Sequence, residues 1–365
     1  MKKTAVKVVM FVTYIVLFFT GCSSRVDLRD RAIVQAMGID YKNGEFVITL
    51  QEFVPNDSGE RGGESAAITV RGKTIFDALK NAESIDGKQI FYGHSRLFII
   101  GKNTAKNSIF PIIEFLTSNY RLSLNASVLT SDYEAAEILS TDLFSKTVPD
   151  IIIDQIQNGG KTPDITVIDL LKNNYNLDGT CYMPVISKNE NGVIIERCAV
   201  FSEHKSKIIL DEKETMGLNL INGKVSDAVF SARCRGRDVS VNVTSNNTDV
   251  SIRNNGEKIS LLINVSANGN ITEFGIVKNE VISKKHIEDA ERDMEQKIKE
   301  CIEKTLNTVI KENNCDIFLL KQRLKNADNK LYQKIKEQPL SEWLPKIEYD
   351  VNVEFNIRHA GVQVN

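Results

Sequence analysis

The last strand-like segment of the chain, residues 346–358 (KIEYDVNVEFNIR), alternates between polar and apolar residues at almost every position. Its apolar positions are Ile347, Tyr349, Val351, Val353, Phe355 and Ile357. Successive side chains of a strand point to opposite faces, so a slip of one residue would turn the whole apolar set toward water. The segment predicts a strand with one buried face, which the rest of the C-terminal half must cover.

A long amphipathic helix predicted over residues 286–313 provides that cover. Its apolar stripe is formed by Ile287, Ala290, Met294, Ile298, Cys301, Ile302, Thr305 and Val309. The opposite face carries Glu, Lys and Arg, as expected when one side of a helix packs in a core. A second helix is predicted over Asp316–Ile335, and the alternating residues 238–274 predict an antiparallel meander. We expect residues 195–365 to form an α+β domain, an antiparallel sheet with helices on one side.

In the N-terminal half, strand and helix signals are mixed. AIVQAMGIDY (32–41) and the segment after Asn43-Gly44 predict a hairpin, because Asn-Gly favours the tight turn that joins two strands. RLFIIG (96–101) predicts a buried strand. Four residues at helical spacing predict a helix over Ile75–Ile85, with a stripe of Phe76, Leu79, Ala82 and Ile85.

The remaining elements of the first half follow the same signals. They are a helix from Ile109, a strand Asn125–Thr130, a helix capped by Asp132 and ending at Leu139, and helices Val148–Gln157 and Ile165–Asn173. We therefore expect residues 22–190 to form an N-terminal α/β domain with a helical insert near 146–176. Asn191-Gly192 predicts a further hairpin, and residues 206–223 are expected to continue as strands with a turn at Asn222-Gly223.

The N-terminus predicts export. Lysines precede an uncharged run, VVMFVTYIVLFF (8–19), and small residues lead to Cys22. The run is shorter than the roughly 20 residues of a membrane-spanning helix and is typical of a cleaved signal. Gly21-Cys22 resembles the end of a bacterial lipobox, although Phe19 replaces the usual Leu. We predict a lipoprotein signal peptide over 1–21 and N-palmitoyl, S-diacylglycerol modification of Cys22; an ordinary signal peptide with an incidental cysteine is the alternative.

Composition and motifs give no evidence for catalysis. The net charge of −2 has no basic excess, so no nucleic-acid partner is expected. The four histidines are scattered, and no nucleotide-, metal- or hydrolase-type motif is present. His94 and Ser95 are adjacent, but neighbouring strand residues point to opposite faces, which disfavours a nucleophile–base pair. We predict no enzyme activity, no cofactor and no metal site.

Five cysteines besides Cys22 are scattered between residues 181 and 315. They are Cys181, Cys198, Cys234, Cys301 and Cys315. They lack the spacing of zinc ligands, and an odd number cannot pair completely within one chain. Buried small apolar side chains are one interpretation, and a Cys181–Cys198 bridge across a hairpin is another.

Several segments together resemble the C-subunit family of spore germinant receptors, the GerAC-type lipoproteins. The similar segments are RVDLRDRAIVQAMGID (25–40), GHSRLFIIG (93–101), Arg121, the helix Ala135–Leu139, the AVF…ETMG…GKV block (199–225) and VNVEFNIRHAG (351–361). Their order is kept along the mature chain. Ser23 departs from the family, which often has Trp after the lipidated cysteine.

The resemblance implies a multi-domain, elongated α+β lipoprotein with mixed or antiparallel sheets. It implies a non-enzymatic subunit of a nutrient receptor in the spore inner membrane, partnered by integral-membrane A- and B-type subunits and held to the bilayer through Cys22. Two alternatives remain open: a solute-binding lipoprotein of a transporter, and a surface hydrolase. The polar loop Asn56–Ser65 and the stretch Arg233–Arg237 are the candidate partner surfaces.

Overall fold

The computed structural model describes most of the chain. The described residues are 31–54, 64–141, 147–158, 160–176, 179–190, 192–234, 237–254, 258–274 and 283–359. Cys22 and the predicted signal peptide lie outside them. The α+β class with mixed sheets is confirmed: the chain forms one nine-stranded sheet, one four-stranded sheet and eleven α-helices within these ranges.

The first sheet has the order β3-β2-β1-β5-β6-β7-β8-β9, with β4 beside β1. Its strands are β1 (Arg31–Lys42), β2 (Glu45–Val54), β3 (Glu64–Gly72), β4 (Gln89–Phe91), β5 (Leu97–Ile100), β6 (Ser127–Ser131), β7 (Cys181–Asn189), β8 (Gly192–Ser202) and β9 (Lys205–Leu210). Strands β1, β5, β6 and β7 run parallel at its centre. The predicted hairpin is confirmed, since Asn43 (φ 52°) and Gly44 (φ 85°) form a tight turn with positive φ.

Helices lie on both faces of this sheet. They are α1 (Ile75–Asp86), α2 (Lys102–Asn107), α3 (Phe110–Ser118), α4 (Ala135–Leu139), α5 (Val148–Asn158) and α6 (Val167–Asn176). The side chains of β5 alternate between two cores: Phe98 and Ile100 enter the core with α1 and α3, whereas Leu97 and Ile99 enter the core with α4 and α5. This two-sided burial explains why RLFIIG is apolar without alternation.

The second sheet has the order β10-β11-β12-β13. Its strands are β10 (Ala228–Cys234), β11 (Arg237–Asn254), β12 (Ile259–Phe274) and β13 (Glu348–His359). The helices of this half are α7 (Glu212–Ile221), α8 (Lys284–Leu306), α9 (Leu320–Ala327), α10 (Asn329–Ile335) and α11 (Leu340–Trp343), and α8 continues as a π-helical turn, Asn307–Glu312. The apolar stripe of α8 and the alternating face of β13 share one core, as predicted from the sequence.

Three details of the C-terminal half differ from the sequence-based expectation. β13 pairs with β12 in parallel, so the sheet is not wholly antiparallel. The helix expected over Asp316–Ile335 is divided at Asp328, whose extended backbone ends α9 and whose carboxylate caps α10. The segment expected to continue as strands to residue 223 forms β9 only as far as Leu210 and then α7, because Asp211 and Glu214 make a reciprocal capping box.

Three details of the N-terminal half also differ. The buried face of α1 is Ile75, Ala78, Leu79 and Ala82, so Phe76 and Ile85 of the predicted stripe are exposed. Helix α2 was not expected. Asp132 does not cap α4; its carboxylate accepts a hydrogen bond from Ser187 Oγ (2.7 Å) and pairs with Arg197.

The first sheet continues past the boundary expected between residues 190 and 195. That boundary falls in the β7–β8 hairpin, and both β8 and β9 are hydrogen-bonded into the first sheet. Apolar side chains on β8, such as Cys198 and Val200, nevertheless share the core of the second sheet. The two halves are therefore joined through β8 and α7.

Candidate functional site

The loop leading into β5 holds the one residue pair considered for nucleophilic chemistry. Ser95 is buried, and its hydroxyl donates to the backbone carbonyl of Val34 at 3.2 Å. The His94 ring instead packs edge-on against Phe91, with ring centroids 5.2 Å apart. A nucleophile needs a base within hydrogen-bond reach. Ser95 therefore ties the β5 entry to β1, and the structure does not bring the two side chains together as a pair.

All five described cysteines are buried, and none is in a disulfide. Cys198 Sγ donates to the carbonyl of Met183 at 3.3 Å, and β-ladder pairing sets Cys198 opposite Pro184 rather than Cys181. Burial raises the pKa of Cys181 to about 12 and that of Cys301 to about 11. Reactive thiols require a lowered pKa, so these are inert apolar side chains. Within the described ranges, no three His, Cys, Asp or Glu side chains converge to hold a metal ion.

Asp40, which ends the GID sequence of β1, holds a buried carboxylate. The carboxylate accepts hydrogen bonds from the backbone N–H groups of Ala135 (2.9 Å) and Ala136 (3.0 Å), which begin α4. Gly101 leaves room for this contact, since a Cβ there would lie 1.8 Å from an Asp40 oxygen. Burial raises the pKa of Asp40, while the two N–H donors oppose that rise. These two motif positions therefore serve helix capping and packing rather than substrate chemistry.

The ETMG sequence of α7 forms the crossing between the two halves. Glu214 belongs to the capping box, and its backbone carbonyl accepts a hydrogen bond from Thr305 Oγ1 of α8 at 2.7 Å. At Gly217, an added Cβ would lie 2.2 Å from the carbonyl oxygen of Cys301, so only glycine permits this close approach of α7 and α8. Asn219 Nδ2 then donates to the carbonyl of Gly160 at 3.1 Å, which links α7 to the N-terminal half.

Helix α8 closes one edge of the second sheet with its charged side chains. The backbone N–H of Arg233 on β10 donates to Asp293 at 2.7 Å. Lys297, one turn further along α8, donates to the carbonyl of Ser231 at 2.6 Å. Unpaired edge groups invite pairing with another chain, and these contacts occupy one N–H and one carbonyl group of the β10 edge.

The other edge of the same sheet is closed in the same way. On β13, the N–H of Ile357 donates to Glu291 at 2.9 Å and the N–H of Phe355 donates to Glu295 at 3.2 Å. The sheet therefore curls around α8 until both edges reach it. In the sequence, Glu291, Asp293 and Glu295 look like part of a solvated helix face. In the structure their carboxylates accept hydrogen bonds from backbone N–H groups of the two edge strands.

Two open surfaces on the described part of the molecule have similar volumes. A groove of about 670 Å³ between α1 and α3 contains the aromatic rings of Phe46, Phe76, Tyr92, Phe115 and Tyr120. A cleft of about 680 Å³ between α7, α8 and β10 is lined by charges of both signs, including an ion pair of Lys161 with Glu196 at 2.5 Å. Neither surface gathers the convergent polar groups of an active site, and both suit contact with another molecule.

The sequence-predicted site residues lie mainly outside the described residues. This is true of Cys22 and of residues 56–63 of the Asn56–Ser65 loop. In the Arg233–Arg237 stretch, residues 235 and 236 lie outside, whereas Arg233 is the next-to-last residue of β10, and its Nε lies 3.6 Å from Asp238 Oδ1 in an exposed ion pair. Both candidate partner surfaces stay predictions.

Comparison with known families gives matches to both halves of the chain. A family described as the spore germination protein N-terminal domain matches residues 24–188. A second, described as spore germination B3/GerAC like, C-terminal, matches residues 196–361. The interval between the two matches contains the β7–β8 turn.

Individual relatives agree with these matches. Spore germination protein KC of Bacillus subtilis (strain 168) is 23% identical, with 100% of this chain and 97% of that protein covered. YfkR, a candidate spore germination protein of the same organism, is 25% identical over 75% of this chain and 76% of its own length. The crystal structure of the GerBC protein superposes with a TM-score of 0.58 at 15% identity, covering 88% of this chain and 96% of that chain, which establishes a common fold. In the part of the chain that the structure describes, no helix is long and apolar enough to cross a membrane.

Proposed function

Because the chain belongs to the GerAC family of spore germination proteins, we propose that it is the lipid-anchored C subunit of a nutrient germinant receptor and acts by docking rather than catalysis. The observation that carries the proposal is the ordered match of both halves of the chain to the two halves of that family. Residues 22–190 and 195–365 would be its two domains, with β8 and β9 completing the sheet of the first.

Buried polar side chains of this chain support docking rather than catalysis. Ser95 and Asp40 bond to backbone groups, as described above. Asp316 does the same, because its carboxylate accepts hydrogen bonds from the N–H groups of Leu320 (2.8 Å) and Lys321 (2.9 Å). Catalytic groups must be able to reach a substrate. Polar side chains that hydrogen-bond to the protein's own backbone can instead stabilise a surface that a partner recognises.

The partners follow from the family and from the N-terminal sequence. Acylated Cys22 would hold the protein to the outer face of the spore inner membrane, since two acyl chains give stable attachment where one gives marginal binding. Integral-membrane A- and B-type subunits would be the protein partners. No cofactor and no nucleic acid would take part.

The alternative of a solute-binding lipoprotein has less support. Such a protein would carry two similar α/β lobes around a ligand cleft. Here the first sheet has a parallel centre with helices on both faces, whereas the four-stranded second sheet curls around the single helix α8. The two halves are too unlike to close on a solute in that manner.

A spore-forming strain that encodes Cys22→Ala tests the proposal, with Ser23→Ala as the matched control at the next position. We expect the Cys22 variant to leave the spore membrane fraction and to lose most germination in response to nutrients, while the Ser23 variant behaves as wild type. Mass spectrometry of the wild-type N-terminus should show an acylated cysteine as the first residue. Normal membrane retention and normal germination of the Cys22 variant would contradict the proposal.

A further inference from the structure

The topology of the first sheet places one end of its parallel strands next to the predicted lipid anchor. Arg31, the first residue of β1, is nine residues after Cys22. A fully extended chain of that length reaches about 30 Å. The twelve residues of β1 span about 36 Å. When β1 runs along the membrane normal, the opposite end of the sheet, where β1 ends, therefore lies farther from the membrane than the linker can reach; we call it the far edge. We name the end of the sheet at which β1 begins, with Arg31, the tether edge; the term refers to the ends of strands and not to an outer strand.

Parallel pairing sets which other segments lie at the tether edge. Gln89, at the start of β4, is paired with Arg31, and β5 and β6 begin on the same side because they run parallel to β1. Helix α1 runs back to this edge, since β4 follows it directly. The 119–125 loop lies there too: Asn119 Nδ2 donates to Tyr92 Oη at 3.0 Å, and the loop leads into β6.

Large apolar side chains are exposed at the tether edge. Ile85 at the end of α1 is 70% exposed, Tyr120 is 87% exposed and Leu124 is 46% exposed. Phe53, near the end of β2, is exposed to a lesser degree. Single exposed apolar residues are ordinary, but several at one edge, on separate segments, suggest a surface that meets an apolar phase.

Tyr120 and Arg121 have the chemistry of a membrane interface. The Arg121 guanidinium carbon lies 5.6 Å from the centre of the Tyr120 ring, and Arg121 Nε donates to Tyr120 Oη at 3.3 Å. Tyrosine is enriched at the headgroup level of bilayers, and arginine can lay its aliphatic stem on apolar surface while its charge stays among phosphates.

We propose that the tether edge is a lipid-contacting face, in which Ile85, Tyr120 and Leu124 enter the headgroup region of a phospholipid bilayer beside Arg121. This rests on the proposed function in one respect, namely that Cys22 carries the membrane anchor. The bilayer then does more than hold the protein: it fixes the orientation of the first sheet, with the far edge turned away from the membrane.

Vesicles with a synthetic anchor test this surface apart from native acylation. In the mature chain beginning at Cys22, that thiol can be coupled to a maleimide lipid, because the five other cysteines are buried. The vesicles contain phosphatidylcholine and phosphatidylglycerol. The reference is the same chain with Cys22 capped by N-ethylmaleimide, mixed with the same vesicles. Hydrogen exchange of the two samples is compared by mass spectrometry.

We expect at least tenfold slower exchange in residues 84–92 and 119–125 of the coupled chain, with no slowing near Phe76. The triple variant Ile85→Ser, Tyr120→Ser, Leu124→Ser should lose that protection, because each buried apolar side chain contributes about tenfold or more to partition. The matched control is Phe76→Ser, which removes an exposed apolar side chain at the opposite end of the same helix and should keep the protection.

Equal exchange in coupled and capped chains, or slowing centred on Phe76, would overturn the proposal. Slowing at the tether edge only when the integral-membrane subunits are added would also overturn it, since the occupant would then be protein. An unmodified native Cys22 would refute the proposed anchor while leaving the vesicle result intact, so the two failures are distinguishable.

Discussion

Replacement of Gly217 by alanine tests whether α7 and α8 are held at the distance seen here. In an unhindered helix this change would stabilise the protein by about 1 kcal/mol, because alanine loses less conformational entropy than glycine. At Gly217 the added Cβ would lie 2.2 Å from the carbonyl oxygen of Cys301 and 2.1 Å from Thr305 Oγ1. We therefore expect the opposite sign, a loss of stability.

The magnitude follows from which atoms must move. Overpacking typically costs about 1–3 kcal/mol, and a contact with helix backbone belongs at the upper end because backbone cannot rotate away. About 3 kcal/mol of strain, less about 1 kcal/mol of helix propensity, leaves a net loss near 2 kcal/mol. For a unit of 150–250 residues this lowers the melting temperature by about 4–8 °C.

Differential scanning calorimetry of the chain from residue 22 onward measures this shift, and a double variant identifies its cause. Thr305→Ala removes one of the two clashing groups but leaves the Cys301 carbonyl in place, so it should not restore the stability of Gly217→Ala. A melting temperature of Gly217→Ala equal to or above that of wild type would refute the close-crossing argument. Recovery on adding Thr305→Ala would show that the side chain, not the backbone, sets the helix distance.

Three further experiments, two with substitutions and one a thiol titration, probe other parts of the fold. Gly101→Ala drives a Cβ into the Asp40 carboxylate and should cost about 3 kcal/mol in urea unfolding; an unchanged midpoint would contradict the packing. Burial raises the pKa of Glu52 above 4.5, and the negative charge of Asp86 raises it further, so the wild type loses stability as pH rises from the unfolded-state pKa through that raised value. Glu52→Gln should therefore melt at a higher temperature than wild type at pH 7 and at the same temperature at pH 4. Equal melting temperatures of the two proteins at both pH values would exclude this repulsion. With Cys22 capped, Ellman's reagent should titrate five thiols in urea and almost none in the native chain; three in urea would indicate a disulfide.

The faces of the elements could be predicted from the sequence better than their partners. Alternation in 346–358 specified which side chains of β13 are buried, but it says nothing about the direction of the neighbouring strand, and the pairing with β12 is parallel. In α1, two sets at helical spacing competed, and the larger side chains of Phe76 and Ile85 favoured the wrong one. The real face uses smaller residues because the helix packs close to the sheet.

Helix α7 was missed although its start signal was present. Ile208, Ile209 and Leu210 predict a strand, and that strand exists, but it ends where Asp211 begins a capping box with Glu214. The candidate surfaces could not be predicted in this way. The tether edge is formed by the end of one helix and by loops far apart in sequence, and only the parallel sheet brings them together.

Apart from Arg121, the positions that carry the family resemblance and the positions proposed to contact other molecules are different sets. Asp40, Gly101, Thr215 and Gly217 occupy buried or close-packed places where a side chain of another shape cannot fit. A change there alters folding first, and any loss of germination that follows would reveal little about recognition. Exposed residues such as Tyr120 can change without disturbing a core. For a subunit that works by docking, variants at the tether edge therefore separate function from stability, and variants at the motif do not.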